Sequence, residues 1–336
     1  MKQKISGKKT ASSKHLLVDY FKKIALVLTS IIFTLVILEI VLTVSYPLWS
    51  DYNSEMWRYA SELKKLSDTP DVGHEHIPNL SIVLYGAEIR TNSLGLRADR
   101  EYVVPKPNST RRILVLGDSI TMGWGVNYSD TYAQVLESML NEDKTAYEVI
   151  NAGVGNYNTQ NEYGTLKKYI DLDPDIIILG FYINDIEETK YSRLNYITKN
   201  SNLYALMLDK FIVVEYSGQK NYREIYRNLY ENQILRNHLR NSIAEIIELS
   251  KIRKIPLIIV NIPEFHEFDN YPFSNVNILI KEAAEEALYV DMLPIFNQTG
   301  ITPTEFWVSS EDPHPNALAH KLIAEELYKK IIQLDK

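Results

Sequence analysis

From Arg111 onward the chain alternates short apolar runs with amphipathic stretches. Ile113–Leu116, Val149-Ile150, Ile176–Leu179 and Leu257–Val260 are continuous apolar runs, and Tyr289–Met292 is a weaker one. Runs this short predict strands covered on both faces. Between them, Thr131–Leu140, Gln160–Tyr169, Leu235–Lys251 and Ala317–Ile332 carry apolar residues at helical spacing. Alternation of this kind predicts an α/β fold over 111–336, a three-layer α/β/α sandwich with a doubly wound parallel sheet. Ligands of such sheets sit outside the carboxyl ends of the strands. Residues 187–234 break the rhythm. They are rich in Tyr and Asn and too long for an ordinary connection. A partly helical insertion near the site is expected there, as solvent-facing filler or as a lid or substrate platform.

A different pattern fills the N-terminus. Ile24–Leu48 is an apolar run long enough to cross a bilayer as a helix, which takes about 20 residues. Seven lysines precede it, and Asp51 and Glu55 follow it. That asymmetry predicts a single-pass anchor in the cell membrane, with a basic cytoplasmic tail over 1–23 and the bulk of the chain outside. Tyr46 and Trp49 stand where an interfacial aromatic belt would lie. A cleaved signal peptide would have a shorter apolar core and small residues before its cut, whereas this run ends in Tyr46-Pro47-Leu48-Trp49. Glu39 interrupts the run toward its outer end, and either snorkelling or a helix–helix contact would accommodate it. Residues 51–110 read as a connector with a small appendage, punctuated by Pro and Gly, with Ser81–Tyr85 as a short strand.

Charge narrows the partners. The chain carries −7 overall and +6 within residues 1–23, so the remainder carries −13. An acidic body lacks the basic footprint that nucleic acid requires. There is no cysteine, which excludes disulfides, thiolate nucleophiles and Cys-based zinc sites. No cofactor or metal is expected.

Four short motifs fall at loop positions. Gly117-Asp118-Ser119 follows the first strand, which points the serine into the crevice. Asn151-Ala152-Gly153-Val154-Gly155-Asn156 follows the second, where glycine lets backbone N–H groups approach a ligand closely. Gly180-Phe181-Tyr182-Ile183-Asn184-Asp185 follows the third and offers a side-chain amide able to donate to an oxyanion. Glu311-Asp312-Pro313-His314-Pro315-Asn316 precedes the last helix and offers a histidine base with carboxylates beside it. Taken singly, these are a turn, a glycine turn, a helix cap and a solvated loop histidine. Their order along one sheet gives them weight together.

Together the four motifs resemble the SGNH/GDSL hydrolases over about residues 111–332, within the size of one domain. Asn92-Ser93-Leu94-Gly95-Leu96-Arg97 also resembles a segment of membrane-anchored bacterial members. The resemblance implies Ser119 as nucleophile and His314 as general base, then general acid. It implies an oxyanion hole from the Ser119 N–H, a second-block N–H and the Asn184 amide. The sequence departs from the family twice. Asn156 stands where glycine is common, so Gly155 and Asn156 are alternative donors. The position three before His314 is Glu311 rather than Asp, so the supporting carboxylate is Asp312, with Glu311 as the alternative. The implied function is a membrane-anchored serine esterase acting on O-acetyl or lipid acyl esters of a glycan or lipid. An O-acyltransferase for a cell-surface polysaccharide and a non-catalytic glycan-binding protein are the alternatives. Of the other histidines, His15 sits in the basic tail, and His74 and His76 are expected on a surface loop. His266 is expected on a loop by the crevice, and His320 packed on the last helix.

Overall fold

The computed structural model describes residues 6–142, 146–189, 201–204, 206–207 and 222–334. Most of the expected insertion lies outside the described residues, as do Lys2, Lys4 and the side chains of His15 and Trp49. The five apolar runs form one parallel sheet. Its strands are β1 (Thr110–Gly117), β2 (Ala146–Asn151), β3 (Ile176–Phe181), β4 (Leu257–Asn261) and β5 (Leu288–Asp291), in the order β2-β1-β3-β4-β5. Ile113 of β1 lies opposite Val149 on one side and Ile176 on the other. Successive side chains of a strand point to opposite faces, which explains the unbroken runs. Leu114, Leu116, Ile177 and Leu179 join one core with helices Thr159–Tyr169, Gln233–Arg253 and Ser274–Ala283. Ile113, Val115, Ile176 and Ile178 join the opposite core with helices Tyr132–Leu140, Leu293–Gln298 and Ala317–Leu334. The order in which successive strands are added reverses between β1 and β3, the position at which doubly wound sheets open a crevice.

Local chemistry sets the helix ends. Thr131 and Asn232 accept N-terminal amides of the helices they precede, and Asn158 forms a capping box with Asn161. Helix Ser274–Ala283 was not anticipated by the sequence pattern, because the exposed Ile278 beside its buried Leu279 and Ile280 blurs the helical spacing.

The N-terminal helix runs Ser6–Val44, and its Leu17–Val44 stretch is long and apolar enough to cross a membrane. The helix itself ends at Val44, short of the expected Leu48. Pro47 has no N–H to bond the Thr43 carbonyl, and a separate short helix, Tyr46–Trp49, begins after Ser45. Glu39 accepts from Ser201 Oγ at 2.7 Å and from the Leu203 amide at 3.1 Å, so within the described residues its partner is the segment after β3.

Residues 51–110 hold helix Tyr52–Arg58, a wide helical turn Tyr59–Leu63 and two antiparallel pairs. Lys64–Leu66 pairs with His74–His76, and Ser81–Leu84 with Ala87–Arg90. This segment shares a core with the first motif, since Tyr59, Leu63, Leu84 and Ile89 pack with Met122 and Trp124. The expected surface-loop histidines are in fact strand residues, His74 and His76 each being only 1% exposed.

Candidate active site

Ser119 begins a single helical turn, Ser119–Met122, directly after β1. As its first residue, the serine has an N–H with no partner inside the turn. Asp118 caps the turn by accepting the Ile120 amide at 2.8 Å. Gly117 at φ 154° and Gly123 at φ 90° bracket it; a Cβ on Gly117 would stand 2.0 Å from Thr121 Oγ1.

His314 comes from the far end of the chain. Trp307–Ser309 pairs with Asp312–Pro315, and Glu311 lies at the hairpin tip. Two residues apart on one strand, Asp312 and His314 share a face. His314 Nε2 lies 2.9 Å from Ser119 Oγ, and its Nδ1 lies 2.6 Å from Asp312 Oδ1. The carboxylate also accepts the His314 amide at 3.0 Å and Trp124 Nε1 at 2.8 Å, and is fully buried. Glu311 is exposed and spends its amide on Ser309. Of the two expected carboxylates, the structure brings Asp312 to the histidine.

The second and third motifs close the crevice. Asn151 accepts the Gly153 amide and donates to the Thr121 carbonyl at 2.7 Å, and the Val154 amide bonds Gly117 O, so this loop is laced to the serine turn. The Gly155 amide donates to Tyr59 Oη at 2.7 Å, and a Cβ there would strike that ring. Asn156 is exposed at φ 67°, a left-handed conformation that Asn tolerates better than most residues. Of the two expected donors, Gly155 is therefore committed to Tyr59. Asn184 follows β3 and donates through Nδ2 to Asp118 Oδ2 at 2.9 Å. Burial raises the Asp118 carboxyl above its usual range. Glu162 and Asp185 are also buried, and burial drives both well upward, with the Asp118 charge adding to the rise at Glu162 and the Glu162 and Asp118 charges adding to it at Asp185.

Several contributors escaped the sequence reading. Trp124 buries Asp312. Tyr85 stacks on Trp124 at 5.7 Å, and the Tyr52 ring lies 6.0 Å from that of His314. Arg97, only 1% exposed, donates to the carbonyls of Met122 at 2.7 Å, Gly123 at 2.6 Å and Val126 at 2.7 Å. It thereby pins the loop that follows the serine. The Asn92–Arg97 resemblance was the available signal for Arg97. Nothing in local pattern marked Trp124, Tyr59 or Lys64. His266 is bonded to Glu264 beside the crevice, with its ring half-exposed, and His320 is packed as expected, accepting the Tyr132 amide. No His, Asp and Glu group suited to a metal occurs among the described residues.

A serine turn at the carboxyl edge of a doubly wound sheet, facing a histidine–carboxylate pair, is the arrangement the SGNH resemblance leads one to expect. The GDSL-like lipase/acylhydrolase family model matches residues 115–322, and the chain belongs to that family; it is a serine ester hydrolase. No curated protein matches the chain. The chain is also similar, at low identity, to several solved structures. TesA is 13% identical, with a TM-score of 0.44 over 65% of this chain and 97% of its own. The esterase EstA from Pseudoalteromonas sp. is 14% identical, with a TM-score of 0.44 over 67% and 100%. The acetyl xylan esterase AlAXEase is 14% identical, with a TM-score of 0.41 over 66% and 99%.

Proposed function

We propose that this chain is a membrane-anchored esterase that removes acyl groups, O-acetyl or lipid, from esters outside the cytoplasm through an acyl-enzyme. The observation that carries the mechanism is the hydrogen-bonded series Ser119–His314–Asp312, with links of 2.9 and 2.6 Å. Ser119 Oγ attacks the ester carbonyl carbon while His314 Nε2 takes its proton. Asp312 holds the Nδ1 proton and stabilises the imidazolium that forms. The negative charge moves to the carbonyl oxygen, where the Ser119 N–H, the Asn156 N–H and Asn184 Nδ2 donate. An Asn amide has two N–H hydrogens, so Asn184 serves Asp118 and substrate together. Collapse breaks the ester C–O bond, His314 protonates the departing alcohol, and water repeats the sequence to free the acid.

The anchor reading rests on Leu17–Val44 and on the lysines that precede it. It places the acidic body on the outer side. The test is labelling of the full-length protein by a fluorophosphonate. Modification at Ser119 that is lost in His314→Ala is expected, and absence of labelling in folded wild type refutes the nucleophile assignment. Product analysis then identifies the acceptor. Free acetate from an acetylated glycan marks hydrolysis, and accumulation of acylated glycan would replace water by a sugar hydroxyl.

A further inference from the structure

The Gly155 residue is held at both of its polar groups by the N-terminal segment. Its N–H donates to Tyr59 Oη, which in turn lies 2.8 Å from His76 Nε2. Its carbonyl accepts from Lys64 Nζ at 3.1 Å and from His74 Nε2 at 3.0 Å. Lys64, His74 and His76 come from one antiparallel pair, with Lys64 opposite His76. All are buried, and the Lys64 ammonium lies 4.6 Å over the Tyr59 ring. Among the described residues no carboxylate pairs with Lys64.

The Gly155 carbonyl belongs to the same planar trans peptide as the Asn156 N–H, and the two point in opposite directions. A carbonyl pinned inward therefore turns the Asn156 N–H away from the N-terminal core, toward the open side of the loop. A cation at the oxygen end of a peptide also draws electron density from its nitrogen and strengthens the N–H as a donor. We propose that Lys64 and His74 are positioning residues of the oxyanion hole, fixing the Gly155–Asn156 peptide and polarising its N–H toward the developing charge. The proposal rests on the assignment of Asn156 as oxyanion donor. An unpaired buried ammonium is costly, and an apolar side chain of similar length would avoid that cost. The charge is therefore retained against the interest of stability.

The groups facing Lys64 are the Tyr59 ring, His74, His76 and the Gly155 carbonyl, and Arg97 and Asp118 act on Tyr59 from beyond. Burial lowers both imidazoles to about 3, so they stay neutral at working pH. Burial lowers Lys64 to about 7, so it alone of this cluster changes charge there.

The test is kcat and KM of the full-length protein in detergent for p-nitrophenyl acetate from pH 5 to 9. Fluorophosphonate labelling and thermal melting accompany it. Wild-type kcat should fall as the pH rises through about 7, where Lys64 loses its proton. Lys64→Met should lower kcat by about 10- to 100-fold at pH 6, less than the full loss of a donor, with KM unchanged and a melting temperature no lower than wild type. Lys64→Arg should restore kcat and carry the alkaline limb upward by more than one pH unit. A Lys64→Met kcat within about threefold of wild type, a loss borne wholly by KM, or no recovery in Lys64→Arg would overturn the proposal. If Lys64→Met does not fold, the alkaline limb of Lys64→Arg decides, and an unmoved limb overturns it. Failure of wild-type labelling at Ser119 would instead refute the nucleophile assignment and is read separately.

Discussion

Asn184→Ala separates catalysis from stability in one position. Its Nδ2 donates to Asp118 Oδ2 at 2.9 Å, which leaves its second amide hydrogen for the substrate oxyanion. Loss of one oxyanion donor costs about 100- to 1,000-fold in kcat, or about 2.7–4 kcal/mol. KM should change little, because the donor acts on charge that exists only in the transition state. Asp118 is fully buried and would keep the Ile120 amide at 2.8 Å, with Ser119 Oγ a distant 3.5 Å away. Removing a donor from a buried carboxyl adds about 1–3 kcal/mol of destabilisation. Both effects are measured on full-length protein in detergent, by p-nitrophenyl acetate kinetics and by urea denaturation. Asn184→Asp is the control of equal size. It replaces the donor with a second carboxyl beside Asp118, so one of the two is held protonated with a raised pKa. Stability should therefore be greatest at low pH and be lost as the pH rises through that raised value. A folded Asn184→Ala enzyme with kcat within about threefold of wild type would refute the oxyanion role.

Trp124→Phe removes the 2.8 Å donor to Asp312 Oδ2 and should cost about 1.5–3 kcal/mol in urea denaturation, since the carboxylate is buried; a change below about 0.5 kcal/mol would contradict this. His320 is lowered to about 3 by burial, so as the pH falls below its unfolded value near 6.5 only the unfolded chain takes up the proton. Wild type should therefore lose about 1.4 kcal/mol per pH unit relative to His320→Gln down to about pH 3, and parallel stability curves would exclude it. Glu39→Leu removes the acceptor shared by Ser201 and Leu203. Limited proteolysis should then cut near residue 201 faster than in wild type, and an unchanged cleavage rate would show that this contact does not restrain the segment.

The sheet was legible because burial on both faces writes an unbroken apolar run into each central strand. The strand ends were less so: β1 begins at Thr110 and includes Arg111 and Arg112, whose charges hide a strand that satisfies them elsewhere. Arg112 is fully buried, yet it donates to Leu172 O at 2.6 Å and to Glu148 at 2.7 Å. The choice between Glu311 and Asp312 could not be read from spacing alone. It depends on hairpin register, which turns Asp312 inward and leaves Glu311 at the tip. Asn156 stands where the resemblance leads one to expect glycine, and its backbone adopts φ 67°, a left-handed conformation that Asn tolerates.

The N-terminal segment was least legible, and the reason is physical. Strands of three residues carry no periodic signal, and Lys64, His74, His76 and Arg97 are polar residues that ordinarily mark surface. Their burial becomes acceptable because partners distant in sequence bond them: Gly155 O for Lys64 and His74, Tyr59 Oη for His76, and three carbonyls after Ser119 for Arg97. Those bonds span up to 91 residues of sequence, beyond the reach of local pattern. The dependence runs both ways. The Ser119 turn and the Gly155 loop end on acceptors and amides that residues 59–97 satisfy, so this segment is part of the candidate site and more than a linker to the N-terminal helix.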